Sequence, residues 1–326
     1  MKIKIGTFNL FQFVEPPYSW YTKKDKFNER QWFEKTTWIK EQILKMDCDI
    51  IGFQEVFSRK ALRTLVKDLG YKYFKVVDAA KLSKNNKLKF VTTTVAIASK
   101  YPISNVEEVK VHQPSIKRHH FEGRFSFSRV PVKATITLPN EEELLVYVCH
   151  LKSNRDNEFE YVFDKNHTLN HKKEVTEKAL EYKNSESLKQ RLCEASSLFF
   201  DIAKEKEKYI ALVCDLNDKE FSITIDALTN PKYHNEKSKE SLLLYDASYE
   251  YKEEVYNPHP EAKEPKRKAT SYFLAKGNVL DYIFISNELR EKVTNYRVLD
   301  EHLQKNRDGS LLQSDHAQVV CELTIF

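Results

Sequence analysis

The sequence predicts an α/β protein folded as one domain over residues 1–326. Three observations predict it. Short runs rich in β-branched and aromatic residues recur along the whole chain, and helical periodicities fall between them. No repeat, low-complexity tract or composition break marks a linker, so any cut would divide the strand-forming segments. With 41% hydrophobic and 12% aromatic residues, the chain can bury a substantial core.

Lys2 to Leu10 reads as the opening strand, with Ile3 and Ile5 on one face. Residues 28–46 read as a helix capped by Asn28, with Trp32, Phe33, Ile39, Ile43 and Leu44 at helical spacing. CDIIGFQE follows as a short apolar strand. Ser58 is placed to cap a second helix that carries Leu62, Leu65, Val66 and Leu69 and closes at Gly70. From 71 to 149 the pattern turns to strands: YKYFKVV, VTTTVAIAS, FSFSRVPVKATITL and ELLVYVCHL. Residues 153–186 are polar and read as a surface insertion. Ser187 to Lys204 forms an amphipathic helix through Leu188, Leu192, Ala195, Phe199 and Ile202. YIALVCDLND, SLLLYDAS, VLDYIFIS and HAQVVCELTIF supply the later strands, and a second polar loop at 251–268 holds the basic run KEPKRKA.

Composition removes several classes. Only 6 Gly are present, and neither GxGxxG nor GxxxxGK[ST] occurs, which excludes the usual dinucleotide and P-loop cradles. Five Cys without a CxxC pair argue against a disulfide framework or a zinc ribbon. A net charge of +5 suits a polyanionic substrate without demanding one. No apolar run approaches the ~20 residues of a spanning helix, and the N-terminus lacks a signal-like h-region. A cytoplasmic, monomeric protein without a membrane partner is expected.

Several strands carry polar residues where a buried strand should have none. Asn9 ends the first, Gln54 and Glu55 end IIGFQE, His150 ends VYVCHL, and Asp215 and Asn217 close IALVCDLND. Asp281 opens DYIFIS, and Ser314, Asp315 and His316 precede the last strand. Strand ends in layered α/β proteins gather at one edge, where sites collect. Each unpaired buried polar group costs about 1–3 kcal/mol, and a charge costs more. A hard cation, Mg²⁺ or Mn²⁺, together with a phosphate would satisfy this oxygen-rich set. Taken singly, each residue has a plainer reading as a turn former, a solvated charge or a surface imidazole.

In order, the segments TFNL, DIIGFQE, ASKYPI, CHL, CDLND, LDYIFIS and SDH resemble the endonuclease/exonuclease/phosphatase superfamily, also called deoxyribonuclease-I-like, from Ile3 to about Leu323. The resemblance implies a four-layer α/β sandwich of two mainly antiparallel sheets flanked by helices. It implies that Glu55 and Asn9 lie at a Mg²⁺ or Mn²⁺ ion, with Asp315 near a further metal or water. It also implies that Asp215 and Asn217 surround the scissile phosphate, that His150 and His316 contact it, and that Asp281 orients His316. Cys214 stands where the family usually has Gly. Phe11 stands where many abasic-site endonucleases have an acid, and His150 where they have Tyr. These differences argue against abasic-site repair.

The expected function is metal-dependent hydrolysis of phosphate esters, with nucleic acid as the first substrate. A phosphatase or lipid phosphodiesterase acting on a small phosphorylated substrate is the second reading, and a silent binding module on the same fold the third. Two basic segments, with Lys117, Arg118 and Arg124 in one and Lys266, Arg267 and Lys268 in the other, are expected to flank the site and grip a polyanion. Solvated surface is the alternative for them. His167 and His171 are expected at a solvated surface.

Overall fold

The structure is a computed structural model and describes residues 1–22, 24–154, 162–181, 185–205, 208–237, 241–251, 267–273, 276–305 and 312–325. β1 (Lys2–Phe13) and β2 (Ser19–Trp20) precede α1 (Glu29–Met46). α1 starts at a reciprocal cap, in which Gln31 N–H donates to the Asn28 side chain and Asn28 N–H donates to that of Gln31. β3 (Ile50–Val56) leads to α2 (Arg59–Asp68), which ends at Gly70 with φ +92°. The Ser58 hydroxyl makes no cap bond; it accepts the Glu15 N–H instead.

β4 (Tyr73–Lys75), β5 (Lys89–Phe90), β6 (Thr94–Ser99), β7 (Ile103–Glu108) and α3 (Gln113–Arg118) come next. β8 (Val132–Thr137) and β9 (Glu143–His150) are followed by α4 (Leu169–Glu181) and α5 (Glu186–Ile202). β10 (Tyr209–Asp215), α6 (Ile223–Thr229), β11 (Tyr245–Asp246) and α7 (Ala247–Glu250) continue the chain. β12 (Ser271–Phe273), β13 (Lys276–Asn278), β14 (Asp281–Ile285), β15 (Val293–Leu299), α8 (Glu301–Lys305) and β16 (Gln318–Thr324) complete it.

Two six-stranded sheets dominate, in the orders β15-β16-β1-β3-β6-β4 and β11-β14-β10-β9-β8-β7. Each is mixed: one central parallel pair, β1 with β3 or β9 with β10, sits among antiparallel neighbours. This arrangement positions the site. The parallel strands all end at one edge, and their antiparallel neighbours β14 and β16 start there.

Alternation sorts the side chains into layers. Ile3, Ile5, Ile50, Val146, Val148, Ala211, Val213, Ile283 and Val319 face inward and form one cluster between the sheets. Phe8, Leu10, Ile51 and Phe53 face outward against α1 and α2, and Tyr147, Cys149, Leu212 and Cys214 against α5 and α6. At Gly52 the sheets touch, and an added Cβ would lie 2.3 Å from Val213 Cγ2 and 2.9 Å from Val148 Cγ1. All five cysteines are free and buried. No helix among the described residues is long and apolar enough to cross a membrane.

Three element readings need correction. Phe33 and Leu44 are 69% and 63% exposed, because the buried stripe of α1 is Lys35, Ile39, Gln42, Ile43 and Met46. The polar 153–186 segment contains α4, whose buried face is formed by Lys172, Thr176 and Ala179, too polar to show as an amphipathic stripe. Only Val132–Thr137 of the long 125–138 run is strand.

Candidate active site

The inward-facing period of four strands turns polar at the common edge. Asn9 follows Ile3, Ile5 and Thr7 on the inner face of β1; Asp215 follows Ala211 and Val213 on β10. His150 follows Val146 and Val148 on β9, and Asp281 precedes Ile283 and Ile285 on β14. Register places Asp215 opposite both His150 and Asp281. Asn9 Nδ2 crosses between the sheets and donates to Asp215 Oδ2 at 2.9 Å. His150 Nε2 lies 3.4 Å from the same oxygen, while the Asn217 N–H donates to Asp215 Oδ1 at 2.8 Å. Burial pushes Asp215 up to about 7, and Asp281 adds to the shift. Burial holds His150 well below its usual range, so its imidazole is neutral.

Glu55 reaches this edge by a different route. Ile51, Phe53 and then Val56 all face outward, so the chain gains one residue at Gln54–Glu55, where the register of β3 against β6 shifts. Glu55 takes φ +59°, and its neighbours Phe11 and Gln12 on β1 take +49° and +62°. Left-handed backbone at three non-glycine residues stores strain of the kind that concentrates at working sites. The Gln12 N–H donates to Glu55 Oε2 at 2.8 Å. Burial raises the Glu55 carboxyl above its usual range, and the Asp315 charge raises it further.

His316 enters just before β16. Its Nδ1 bonds Asp281 Oδ2 at 2.8 Å and lies 3.9 Å from Asp215 Oδ2; its Nε2 lies 3.8 Å from Asp315 Oδ1. Burial opposes a charged imidazole, but Asp281, Asp215 and Asp315 outweigh it and hold His316 well above its ordinary value. Ser314 clamps the loop: its hydroxyl donates to the Asn9 carbonyl at 2.6 Å and accepts the His316 N–H at 3.0 Å.

The donor set fits a hard divalent cation. Gln12 Oε1, Asp281 Oδ1 and Asp315 Oδ1 are buried oxygens without a hydrogen-bond partner, and the Asp315 charge acts on Glu55. Asp215, Asp281 and His316 also bring three ligand atoms within 4.8 Å of one another. There the His316 nitrogen holds its proton against Asp281, so Glu55 with Asn9 and Asp315 is the better cation side.

The basic segments fare differently. Arg267 is a scaffold residue, which corrects its expected role. Its guanidinium pairs with Asp246 at 2.6 Å and Glu220 at 3.0 Å, bonds the Tyr296 hydroxyl and lies over the Tyr282 ring. Lys268 pairs with Asp300 at 3.0 Å; Lys266 lies outside the described residues. Lys117, Arg118 and Arg124 are exposed, and Arg118 points to the His234 carbonyl over the helical layer. His167 and His171 stack on each other beside Phe163.

Two residues were missed. Arg129, in the loop before β8, holds the Leu151 carbonyl at 3.0 Å, bonds Tyr21 and acts electrostatically on Glu55 and His150. Lys35 is fully buried on α1, where burial lowers it to about 7 against the pull of Glu55 and Asp315. A lysine four residues before Ile39 on the buried stripe was its available signal; Arg129 had none.

The sequence model of the Endonuclease/Exonuclease/phosphatase family matches residues 6–316. No curated protein matches the chain. Among solved structures, an endonuclease/exonuclease/phosphatase from Bacteroides vulgatus is 14% identical at TM-score 0.58, covering 100% of both chains. The human Nocturnin catalytic domain with bound sulfate is 15% identical at 0.57, covering 100% of this chain and 95% of that one. D. rerio TDP2 complexed with a single-strand DNA product is 12% identical at 0.53, covering 99% of both.

Proposed function

The chain belongs to the endonuclease/exonuclease/phosphatase family, and from that premise we propose that it hydrolyses phosphodiesters in nucleic acid with the help of one or more divalent cations. The observation that carries this reading is the meeting of Asn9, His150, Asp215 and the Asp281–His316 pair at one edge, with Glu55 beside them. TDP2, a protein of similar fold, has been captured with a DNA product, which supports the substrate class.

When bound at Glu55, Asn9 and Asp315, Mg²⁺ or Mn²⁺ supplies charge neutralisation to the phosphate oxygens. Asp215 accepts the proton of the attacking water. Its burial brings its proton affinity near neutral pH, and Asn9 and the Asn217 N–H fix its two oxygens. His316, charged and oriented by Asp281, donates to a non-bridging oxygen as negative charge builds there. His150 offers a buried Nδ1 without a partner. Arg129 adds a cation beside Glu55 and His150.

A small phosphate ester is the second reading, and Arg267 favours it: a guanidinium spent on Asp246 and Glu220 cannot grip a polyanion. The protein is incubated with plasmid, RNA and a panel of small phosphate esters, each with Mg²⁺ and with EDTA. Polynucleotide cleavage in Mg²⁺ alone is expected, with log KM rising by about 0.7–0.9 per tenfold salt for each phosphate neutralised. Cleavage of small esters only, with a flat salt response, moves the second reading ahead. Full activity in EDTA after dialysis overturns both.

A further inference from the structure

One turn of α5 grips three loops of the site from the helical layer. Arg191 and Glu194, three residues apart on the helix, are 3% and 1% exposed. Glu194 Oε1 accepts the Ser128 N–H at 2.7 Å, in the loop before β8, and Oε2 accepts the Lys152 N–H at 2.8 Å, just after β9. Gln190 Nε2 donates to Glu194 Oε1 and to the Ser126 carbonyl, each at 2.9 Å. Arg191 Nη1 donates to the Lys152 carbonyl at 3.1 Å, and its Nε lies 3.3 Å from Asp218 Oδ2, just after β10. Within two residues of these gripped positions stand Arg129, His150 and Asn217.

The contacts converge on a single peptide group. The Leu151 carbonyl accepts from Arg129 Nη1 and from Asn217 Nδ2, each at 3.0 Å. The N–H of that same planar unit is the one Glu194 holds. The Leu151 N–H donates to the Asp215 carbonyl at 3.1 Å, so the segment is tied to β10 as well. Were the 151–152 peptide to turn, Arg129 and Asn217 would lose their shared acceptor. Burying a carboxylate is costly, and an ordinary packing residue is apolar. The two N–H groups require two acceptor oxygens, which glutamate has and glutamine lacks: a glutamine turns its NH₂ toward one of them.

We propose that Glu194 is a positioning residue: it holds the 151–152 peptide so that its carbonyl fixes the Arg129 guanidinium and the Asn217 amide beside the phosphate. The inference rests on the reading of this edge as the phosphate site. Glu194 acts only through the peptide, while Arg191 secures the following carbonyl and, through Asp218, the residue next to Asn217.

The test measures kcat and KM on bis(4-nitrophenyl) phosphate in Mg²⁺ for the wild type, Glu194→Gln, Arg129→Met and the double variant. A group misplaced by ~1 Å costs about 10² in rate, so Glu194→Gln should lower kcat about 10–100-fold while KM changes less than about threefold. In the Arg129→Met background the same change should lower kcat less than about threefold, because the group it positions is gone. That coupling in kcat is what a merely structural anchor would not give. A Glu194→Gln protein within threefold of wild-type kcat, or a loss that persists undiminished without Arg129, overturns the proposal and leaves the proposed function standing. A wild type that hydrolyses neither this diester nor any polynucleotide in Mg²⁺ overturns both. Should Glu194→Gln fail to fold, Gln190→Met takes its place, since it removes the amide joining Glu194 to the Ser126 carbonyl. A kcat loss of threefold or more is expected there, again diminished without Arg129, and an unchanged kcat overturns the proposal.

Discussion

Replacing Gly52 by alanine sets a methyl carbon 2.3 Å from Val213 Cγ2 and 2.9 Å from Val148 Cγ1. Carbon atoms pack at about 3.5–4.0 Å, so the surfaces must part by roughly 1 Å or more. Neither valine can turn aside, since β-branched side chains in strands are stiff at χ1. The sheets themselves must separate, and overpacking of this kind costs about 1–3 kcal/mol; the upper end is expected here. The separation reaches the site, where Asn9 on one sheet donates to Asp215 on the other at 2.9 Å. Another 1 Å takes that bond past its ~3.2 Å limit, and a 1 Å misplacement costs about 10² in rate. Urea unfolding and kcat are measured for Gly52→Ala, Val213→Ala and the double variant. The double variant should recover more than about 0.5 kcal/mol relative to additivity. A Gly52→Ala protein within that margin of wild type, or strictly additive effects, refutes the reasoning.

Glu55→Gln should raise the melting temperature in metal-free buffer at pH 7 and leave it unchanged near pH 4. Burial first, then Asp315, raises the Glu55 carboxyl in the fold, so stability is full below about 4.3 and is lost as pH rises through the raised value. The amide escapes that loss, and melts showing no gain would count against the buried charge. Asp281→Asn should lower kcat by about 10²–10⁴ with KM little changed, because it leaves His316 unoriented. Steady-state rates within twofold of wild type would remove Asp281 from the mechanism. Arg267→Met should cost about 3–5 kcal/mol in urea by stranding Asp246, without altering the salt dependence of KM. A changed salt slope at full stability would return Arg267 to the substrate.

Asn9, His150, Asp215 and Asp281 were legible because alternation is a strict rule: each continues an apolar inward-facing series with a polar residue. Glu55 was legible as a residue but not as a direction. Strict alternation would turn it outward with Ile51 and Phe53, and only the bulge, invisible without the β6 pairing, brings it to the edge. The buried end of Arg267 was unreadable for a related reason. A cation in a polar loop reads as solvated until its partners, Asp246 and Glu220, arrive from distant parts of the chain. β7 and α4 escaped notice because their exposed or polar faces carry no clear period.

Among the described strands β16 is synthesised last, yet it lies inside its sheet, bonded to β1 on one side and β15 on the other. β1, made first, therefore waits with an open edge while the rest of the chain is built. At about 5–20 residues per second that wait is on the order of 15–60 s, long enough for the edge to be an aggregation hazard. Lys2 and Lys4 stand on that edge and discourage pairing with other chains. His316 leads into β16, so a ribosome-bound chain can hold a nearly finished scaffold in which Asp281 still lacks its imidazole. The Asp281–His316 pair forms only once β16 has slid into place between β1 and β15.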